Sequence, residues 1–466
     1  MELPPLRDYQ RELVDKIKAA FLVHRRVLAV APTGAGKTIV FAHIARNAAE
    51  TGRKILILAH RLEIIEQIRQ VVGDHDGNIE YSTVQSIHKV QTIPDLIIID
   101  EAHHAVNNSY LQYLMQVENA LILGVTATPQ RLDGKGLKDV FETMVLGPTV
   151  QELIAKGYLS PYRYLAPPSP FDKAKLRMIG GDYGKQEIDR IIRLTPLFGD
   201  TILHYRKFLD GKRVLVFCPT VLLCYDIAEA YNKADIPAAV LEGNMSFEDR
   251  RVILNRFRDG EIKAIMSCDL IGEGLDIPAV EGIQMLRPTK STSIFLQQVG
   301  RALRPSPGKK EAIILDHAAN VFRHGMPDEE RVWTLNGYTL SAVRIKRCYG
   351  CYKVFDSREP ITCPLQDPPP ECILKDEKAG FGIHNRFNVR DNKKVMTEIV
   401  EGDLVDFCKE RSKVKLKGDE LRQAIRKAKT IDELLDLAYR QGYDPRWAYI
   451  LFAIRHKRPL PYRKAR

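Results

Sequence analysis

A short apolar run, Val27-Leu28-Ala29-Val30, leads directly into Ala31-Pro32-Thr33-Gly34-Ala35-Gly36-Lys37-Thr38, and from 39 to 49 the apolar residues recur with helical spacing. No other stretch restricts the fold so tightly. A strand, a glycine-bearing loop and a helix in that order are half of a βαβ unit, and parallel strands joined by helices require an α/β sheet covered on both faces. The loop also dictates chemistry. Gly34 and Gly36 let backbone N–H groups turn inward around a phosphate at the positive end of the next helix, with Thr33 and Ala35 completing the cradle. Lys37 is placed to reach the β- and γ-phosphates of ATP, and Thr38 to hold Mg²⁺ through its hydroxyl. Ala31 stands where the strict pattern has glycine, so the match is one position short.

A second run, 96–99, is too uniformly apolar for a half-exposed strand and ends in Asp100-Glu101-Ala102-His103. Ligands gather at the carboxyl ends of parallel strands. Asp100 is the candidate Mg²⁺ holder and Glu101 the group that polarises the water attacking the γ-phosphate. An acidic pair after a strand can also be a plain helix start. The phosphate loop about sixty residues upstream favours the catalytic reading.

From 141 to 196 the pattern breaks at Pro148, Pro161, Pro167, Pro168, Pro170 and Gly180-Gly181, which reads as a linker with a short helix over 150–156. A new α/β pattern follows. Runs at 212–220, 238–241 and 263–267 read as strands, the first leading into a helix through Ala230. Next comes Gly274-Leu275-Asp276-Ile277-Pro278, then Gln297-Gln298-Val299-Gly300-Arg301-Ala302-Leu303-Arg304. Arg301 and Arg304 are spaced to share one helical face, which makes them candidate arginine fingers, each contributing roughly 10³–10⁵ in rate; Gln297 belongs to the same catalytic motif. Gly274 and Asp276 are assigned to nucleotide binding. Taken singly, the arginines could be a solvated face and Gly274 a cap. Their order behind a phosphate loop decides otherwise.

The series Leu6-Arg7-Asp8-Tyr9-Gln10, the phosphate loop, Ala59-His60-Arg61, Thr83-Val84-Gln85-Ser86, Asp-Glu-Ala-His at 100–103 and Thr126-Ala127-Thr128-Pro129 resembles the ordered motifs of superfamily-2 helicases of the DEAD/DEAH-box type. The resemblance implies two tandem RecA-like domains with parallel sheets, closing on ATP and Mg²⁺. It places Gln10 and Arg7 at the adenine, Thr126 and Thr128 between hydrolysis and strand contact, and Arg61, Thr83, Gln85, Thr220 and Thr289 on the nucleic acid. Thr-Ala-Thr-Pro followed by Gln130-Arg131 looks more like DNA repair and restriction motors than RNA helicases.

The net charge of +11 is localised: 411–466 holds 16 Lys+Arg against 6 Asp+Glu, while the rest of the chain holds 54 against 53. Such an appendage suits a polyanion. Within it, 412–429 is basic and helical in pattern, and Tyr443, Trp447 and Tyr449 serve either base stacking or a small core. Cys348, Cys351, Cys363 and Cys372 are candidate Zn²⁺ ligands of a knuckle, against a degenerate one without metal, because Gln366 stands where the second C-x-x-C would close. Cys218, Cys224 and Cys268 sit in apolar surroundings and read as core. The tail resembles that of bacterial RadD-type repair helicases and related phage enzymes.

The expected organisation is an ATP-binding domain at 1–147, a linker at 148–195, a second helicase domain at 196–340, a Cys-containing connector at 341–410 and a basic helical region at 411–466. The partner is single-stranded, forked or branched DNA, with recombination or single-strand-binding proteins beside it and no membrane. No run of about eighteen apolar residues occurs and the N-terminus lacks signal-peptide character, so a cytoplasmic, nucleoid-associated location is expected, or the host cytoplasm for a phage protein. RNA unwinding, a nucleotide-switched duplex-binding module and a restriction motor subunit are the competing readings.

Overall fold

The apolar run 96–99 becomes a strand buried on both faces. Leu96 and Ile98 enter one apolar cluster, Ile97 and Ile99 another, as the twofold alternation of a strand requires. The computed structural model describes residues 3–356 apart from 74, 91, 105–107, 118, 131–135, 172–175, 180–181, 196, 269–276, 278–279, 341–344 and 348–351, together with Gln423. The chain divides into two compact units, Met1–Phe387 and Asn388–Arg466, and all described residues except Gln423 belong to the first.

The first lobe comprises α1 (Asp8–Phe21), β1 (Arg26–Val30), α2 (Lys37–Glu50), β2 (Ile55–Ala59), α3 (Leu62–Val72), β3 (Ile79–Thr83), β4 (Leu96–Asp100), α4 (Asn108–Gln116), β5 (Leu121–Thr126) and β6 (Thr143–Leu146). Its sheet has the order β3-β2-β4-β5-β1-β6, with every pair parallel. β1 and β4 are interior strands, so the phosphate loop and Asp100 both emerge at the carboxyl edge, where a ligand can sit across them.

After α5 (Val150–Ala155) the second lobe follows: β7 (Tyr162–Leu165), the antiparallel pair β8 (Met178–Ile179) and β9 (Asp182–Tyr183), α6 (Lys185–Leu194), α7 (Leu197–His204), β10 (Val214–Phe217), α8 (Val221–Lys233), β11 (Ala238–Leu241), α9 (Phe247–Arg258), β12 (Ala264–Ser267), β13 (Gly282–Met285), α10 (Thr292–Ala302), β14 (Ala312–Asp316) and α11 (Val321–His324). Its sheet, β11-β12-β10-β13-β14-β7, is again wholly parallel. Two antiparallel pairs close the described chain, β15 (Arg331–Thr334) with β16 (Gly337–Leu340) and β17 (Ile345–Arg347) with β18 (Val354–Asp356). The protein thus has two tandem RecA-like α/β lobes with parallel sheets.

The stretch 148–195, read as a linker, contains structure of the second lobe. β7 is its edge strand, paired with β14, and Phe171, Tyr183, Ile188 and Ile192 lie in its core. Prolines on either side of a four-residue strand were read as breakers, yet an edge strand tolerates them because one side needs no donors. The candidate zinc cysteines and the basic tail lie outside the described residues. Among the described residues no group of three or more metal-ligating side chains occurs, and no helix is long and apolar enough to cross a membrane. Cys218 and Cys224 are buried as expected, while Cys268 is half-buried.

The turn between β15 and β16 reaches back to the first lobe. The Leu335 carbonyl accepts from the N–H groups of Leu137 (2.7 Å) and Lys138 (3.0 Å), and a Cβ on Gly136 would stand 2.0 Å from that oxygen.

Candidate active site

Gly34 (φ 90°) and Gly36 (φ 76°) take the left-handed conformation that a side chain would strain, and Gly36 is the N-cap of α2. The loop is braced from α1: the Tyr9 hydroxyl and the Gln10 amide nitrogen donate to the Ala35 carbonyl at 3.0 and 3.1 Å. Gln10 is 4% exposed, and its amide oxygen accepts from the Arg7 N–H. Each end of the amide still has one hydrogen-bonding position for a base edge. The Arg7 guanidinium lies 4.6 Å over the ring of Tyr158, which also packs 5.0 Å from the Tyr9 ring.

Lys37 Nζ approaches Glu101 Oε1 to 3.9 Å. Glu101 adopts φ 47°, a strained conformation for a residue with a side chain, which turns it out of β4 over the loop. Burial, and then the charge of Glu101, push the Asp100 carboxyl up to about 7 against the pull of Lys37. Two crowded carboxylates facing one lysine form a donor set short of positive charge. That arrangement fits Mg²⁺, with Asp100 and Thr38 as its holders and nucleotide phosphates as its other ligands.

A polar relay runs from Glu101 to the second lobe. His103 Nδ1 lies 3.4 Å from Glu101 Oε2 and 3.0 Å from the Thr126 hydroxyl, which in turn donates to the Thr128 carbonyl. The Thr128 hydroxyl stands 2.5 Å from that of Ser293, at the start of α10, and Ser293 also donates to the Gln130 carbonyl. Sequence motifs marked Thr126 and Thr128; Ser293 was missed, although Ser291 is legible as the helix N-cap.

The far end of α10 meets the phosphate loop. A Cβ on Gly300 would lie 2.4 Å from Thr33 Cβ, and Arg304 Cγ lies 3.9 Å from where a Cβ on Gly34 would stand. Arg301 and Gln297 are buried within α10. Arg304, however, is not on that helix, which ends at Ala302. Pro305 disfavours helical backbone at the residue before it, so the expected shared face does not form. The turn is held instead by Lys309, whose ammonium donates to the carbonyls of Val280, Ala302 and Arg304. Leu159 presses on the loop beside Arg304, and Ser160 bonds Leu303 and Arg304. No motif marked these linker residues.

The expected strand contacts fall at the carboxyl edges of neighbouring strands. Arg61 follows β2 as the N-cap of α3, and Thr83 ends β3 with exposed Gln85 beyond it. On the second lobe both expected contacts are bonded to carboxylates. The Thr220 hydroxyl caps α8 through Leu223 N and donates to Asp189, and Thr289 is 1% exposed with its hydroxyl on Asp182. Thr289 is closed to a strand in this state, whereas Thr220 is half-exposed. A salt bridge between lobes, Arg250 to Glu63 at 2.8 Å, stands beside Arg61 and went unread. Gly274 and Asp276 lie outside the described residues.

Residues 3–82 and 73–131 match the profile described as type III restriction enzyme, res subunit, and 199–306 that of the helicase conserved C-terminal domain. A 51.5 kDa protein of a Lactococcus phage is 36% identical over 65% of this chain and 68% of its own. The DNA 3'-5' translocase XPB2 of Sulfurisphaera tokodaii is 26% identical over 67% of this chain and 81% of its own. In fold, the chain is similar to a fragment of an HsdR subunit of a type I restriction enzyme from Vibrio vulnificus, with a TM-score of 0.54 at 24% identity over 69% of this chain and 66% of that one. One profile on each lobe and a phage relative 36% identical lead to one conclusion: the chain belongs to the superfamily-2 helicases, enzymes that hydrolyse ATP.

Proposed function

We propose that the protein uses ATP hydrolysis to move along DNA, and that its setting is the repair or recombination of branched or forked DNA. The observation that carries this is the approach of a second-lobe arginine to a first-lobe phosphate loop, Arg304 against Gly34. Charge developing on the γ-phosphoryl is then compensated only when the lobes close. Asp100 and Thr38 hold the metal, Lys37 the phosphates, and Glu101 orients the attacking water. Arg7 and Gln10 serve the adenine, and Arg301, Arg304 and Gln297 the transition state. Closing pulls Arg61, Thr83 and Gln85 relative to the second lobe, and opening resets them. DNA is favoured over RNA by the Thr126–Pro129 form of the relay motif and by the similarity to a named DNA translocase. Contacts to phosphates rather than base edges make the movement indifferent to sequence.

ATPase assays with single-stranded DNA, duplex, forked DNA and RNA test the reading. Strong stimulation by DNA, greatest with a fork, is expected; equal or greater stimulation by RNA overturns it. Displacement of a triplex-forming strand separates a translocating motor from a nucleotide-switched clamp, which would leave the triplex intact.

A further inference from the structure

Both threonines expected to grip a strand on the second lobe are held by carboxylates, and both carboxylates come from one stretch of chain. Thr289 donates to Asp182 Oδ2 at 2.8 Å, and Thr220 donates to Asp189. Around Asp182 the donor set is larger. Arg287 reaches Oδ2 at 3.1 Å, and the Lys290 N–H reaches Oδ1 at 2.7 Å. Arg287 is 7% exposed and Thr289 1%. A guanidinium, a hydroxyl and a main-chain N–H converging on one anionic oxygen pair are the donors proteins direct at nucleic-acid phosphates. They stand beyond the carboxyl end of β13, an interior strand beside β10, whose own carboxyl end leads to Thr220. Ligands of open α/β sheets bind at that edge.

We propose that Arg287, Thr289 and the Lys290 N–H form a phosphodiester subsite for the tracked strand, and that Asp182 fills it as an internal competitor when no strand is bound. The proposal rests on the strand-tracking reading above. A phosphodiester and a carboxylate each bring one negative charge, so the exchange leaves the buried guanidinium compensated throughout. The two acids differ in role. Asp189 also takes Arg193, which continues to Asp226, and this network fixes α6 to the lobe. Asp182 pairs with one cation, Arg287, from the two-residue strand β9 rather than from a helix, and Met178 and Ile179 of the paired strand are exposed. Tyr183 is held in the core, so release turns the Asp182 side chain outward and breaks its bonds to Arg287, Thr289, the Lys290 N–H and the Tyr183 N–H.

Asp182→Asn keeps the shape and removes the competing charge. Binding of a fluorescein-labelled oligothymidylate to the full chain, followed by anisotropy, should tighten about 3–10-fold, the factor by which an internal competitor lowers the competent fraction. Strand-free ATPase should rise in step. Adding Thr289→Val to that variant should cancel the gain, because the phosphate then loses its hydroxyl donor, while the Ser291 N–H loses its acceptor with or without a strand. Equal or weaker binding by a normally melting Asp182→Asn overturns the proposal. The wild-type chain gives an independent measurement. The Tyr183 N–H donates to Asp182 Oδ1, so hydrogen exchange at the Tyr183 amide should speed up when oligothymidylate binds; unchanged or slower exchange there also overturns it. If oligothymidylate neither binds nor stimulates the wild-type chain, the strand-tracking reading fails and this proposal with it. If it does both and the variant gains nothing, only this proposal fails.

Discussion

On the proposed mechanism, Glu101 concentrates the chemistry in one side chain. Its left-handed backbone costs on the order of 1–3 kcal/mol and persists because Lys37 and His103 hold the carboxylate over the loop. Glu101→Gln should bind a fluorescent ATP analogue as wild type does while turnover falls by about 10²–10⁴. Fast hydrolysis by that variant would remove the residue from its role. Gly300 tests closure in the same way. Alanine favours a helix, so Gly300→Ala should melt no lower than wild type, yet its methyl would collide with Thr33 and keep the lobes apart. ATP binding is retained and stimulated hydrolysis is lost; stimulated hydrolysis at the wild-type rate would mean that this approach is not needed. The two residues differ in legibility. Glu101 stands in a motif whose parts are adjacent in sequence, whereas what forbids a side chain at Gly300 is Thr33, far away in the chain.

Among the elements, strands buried on both faces were the most readable, because a run such as 263–267 carries its own signature and becomes the wholly buried β12 one residue shorter. β7 was not readable: four residues between prolines resemble a loop until β14 is beside them. The end of α10 is a stronger case. Its stop follows from Pro305, but the ammonium that fastens its last turn comes from Lys309, on the loop before β14. Burial pushes Lys309 down to about 8, opposed by Glu281. It is therefore charged below that pH and neutral above it, and its grip on the Arg304 carbonyl weakens as pH rises. ATPase should decline through a limb near pH 8 that Lys309→Arg shifts upward or abolishes; an unchanged limb would point to another group. Stability should move oppositely. The folded pKa lies below the unfolded one, so the unfolded chain binds more protons between about 8 and 10.5, and this lysine's contribution to stability rises across that window.

For the molecule as a whole, an acid limit to stability is expected from inside the second lobe. His204 and His317 stack at 5.1 Å, and burial lowers His204 to about 4 and His317 well below the ordinary imidazole range. Both favour the neutral form, so their contribution is complete above about 6.5 and is lost as pH falls toward 4. The melting temperature should drop between pH 6.5 and 5, and His317→Phe should flatten that drop; an equally steep drop in the variant would place the acid sensitivity elsewhere. Deleting 411–466 should weaken DNA binding and reduce the slope of affinity against salt, since 16 basic side chains leave with it; an unchanged slope would show that the basic tail does not contact phosphates. The two-lobed plan was legible because each lobe carries motifs of its own, although the second lobe's share of 148–195 was not. How the lobes are fastened was not, because Leu335 contributes only a main-chain oxygen. That fastening lies outside the motifs that hold nucleotide. Where departure of spent fuel loosens the Thr128–Ser293 contact inside those motifs, the Leu335 carbonyl would remain as a pin about which the halves swivel. The stride of the motor would then be set by the length of the lever from that pin to the bound strand.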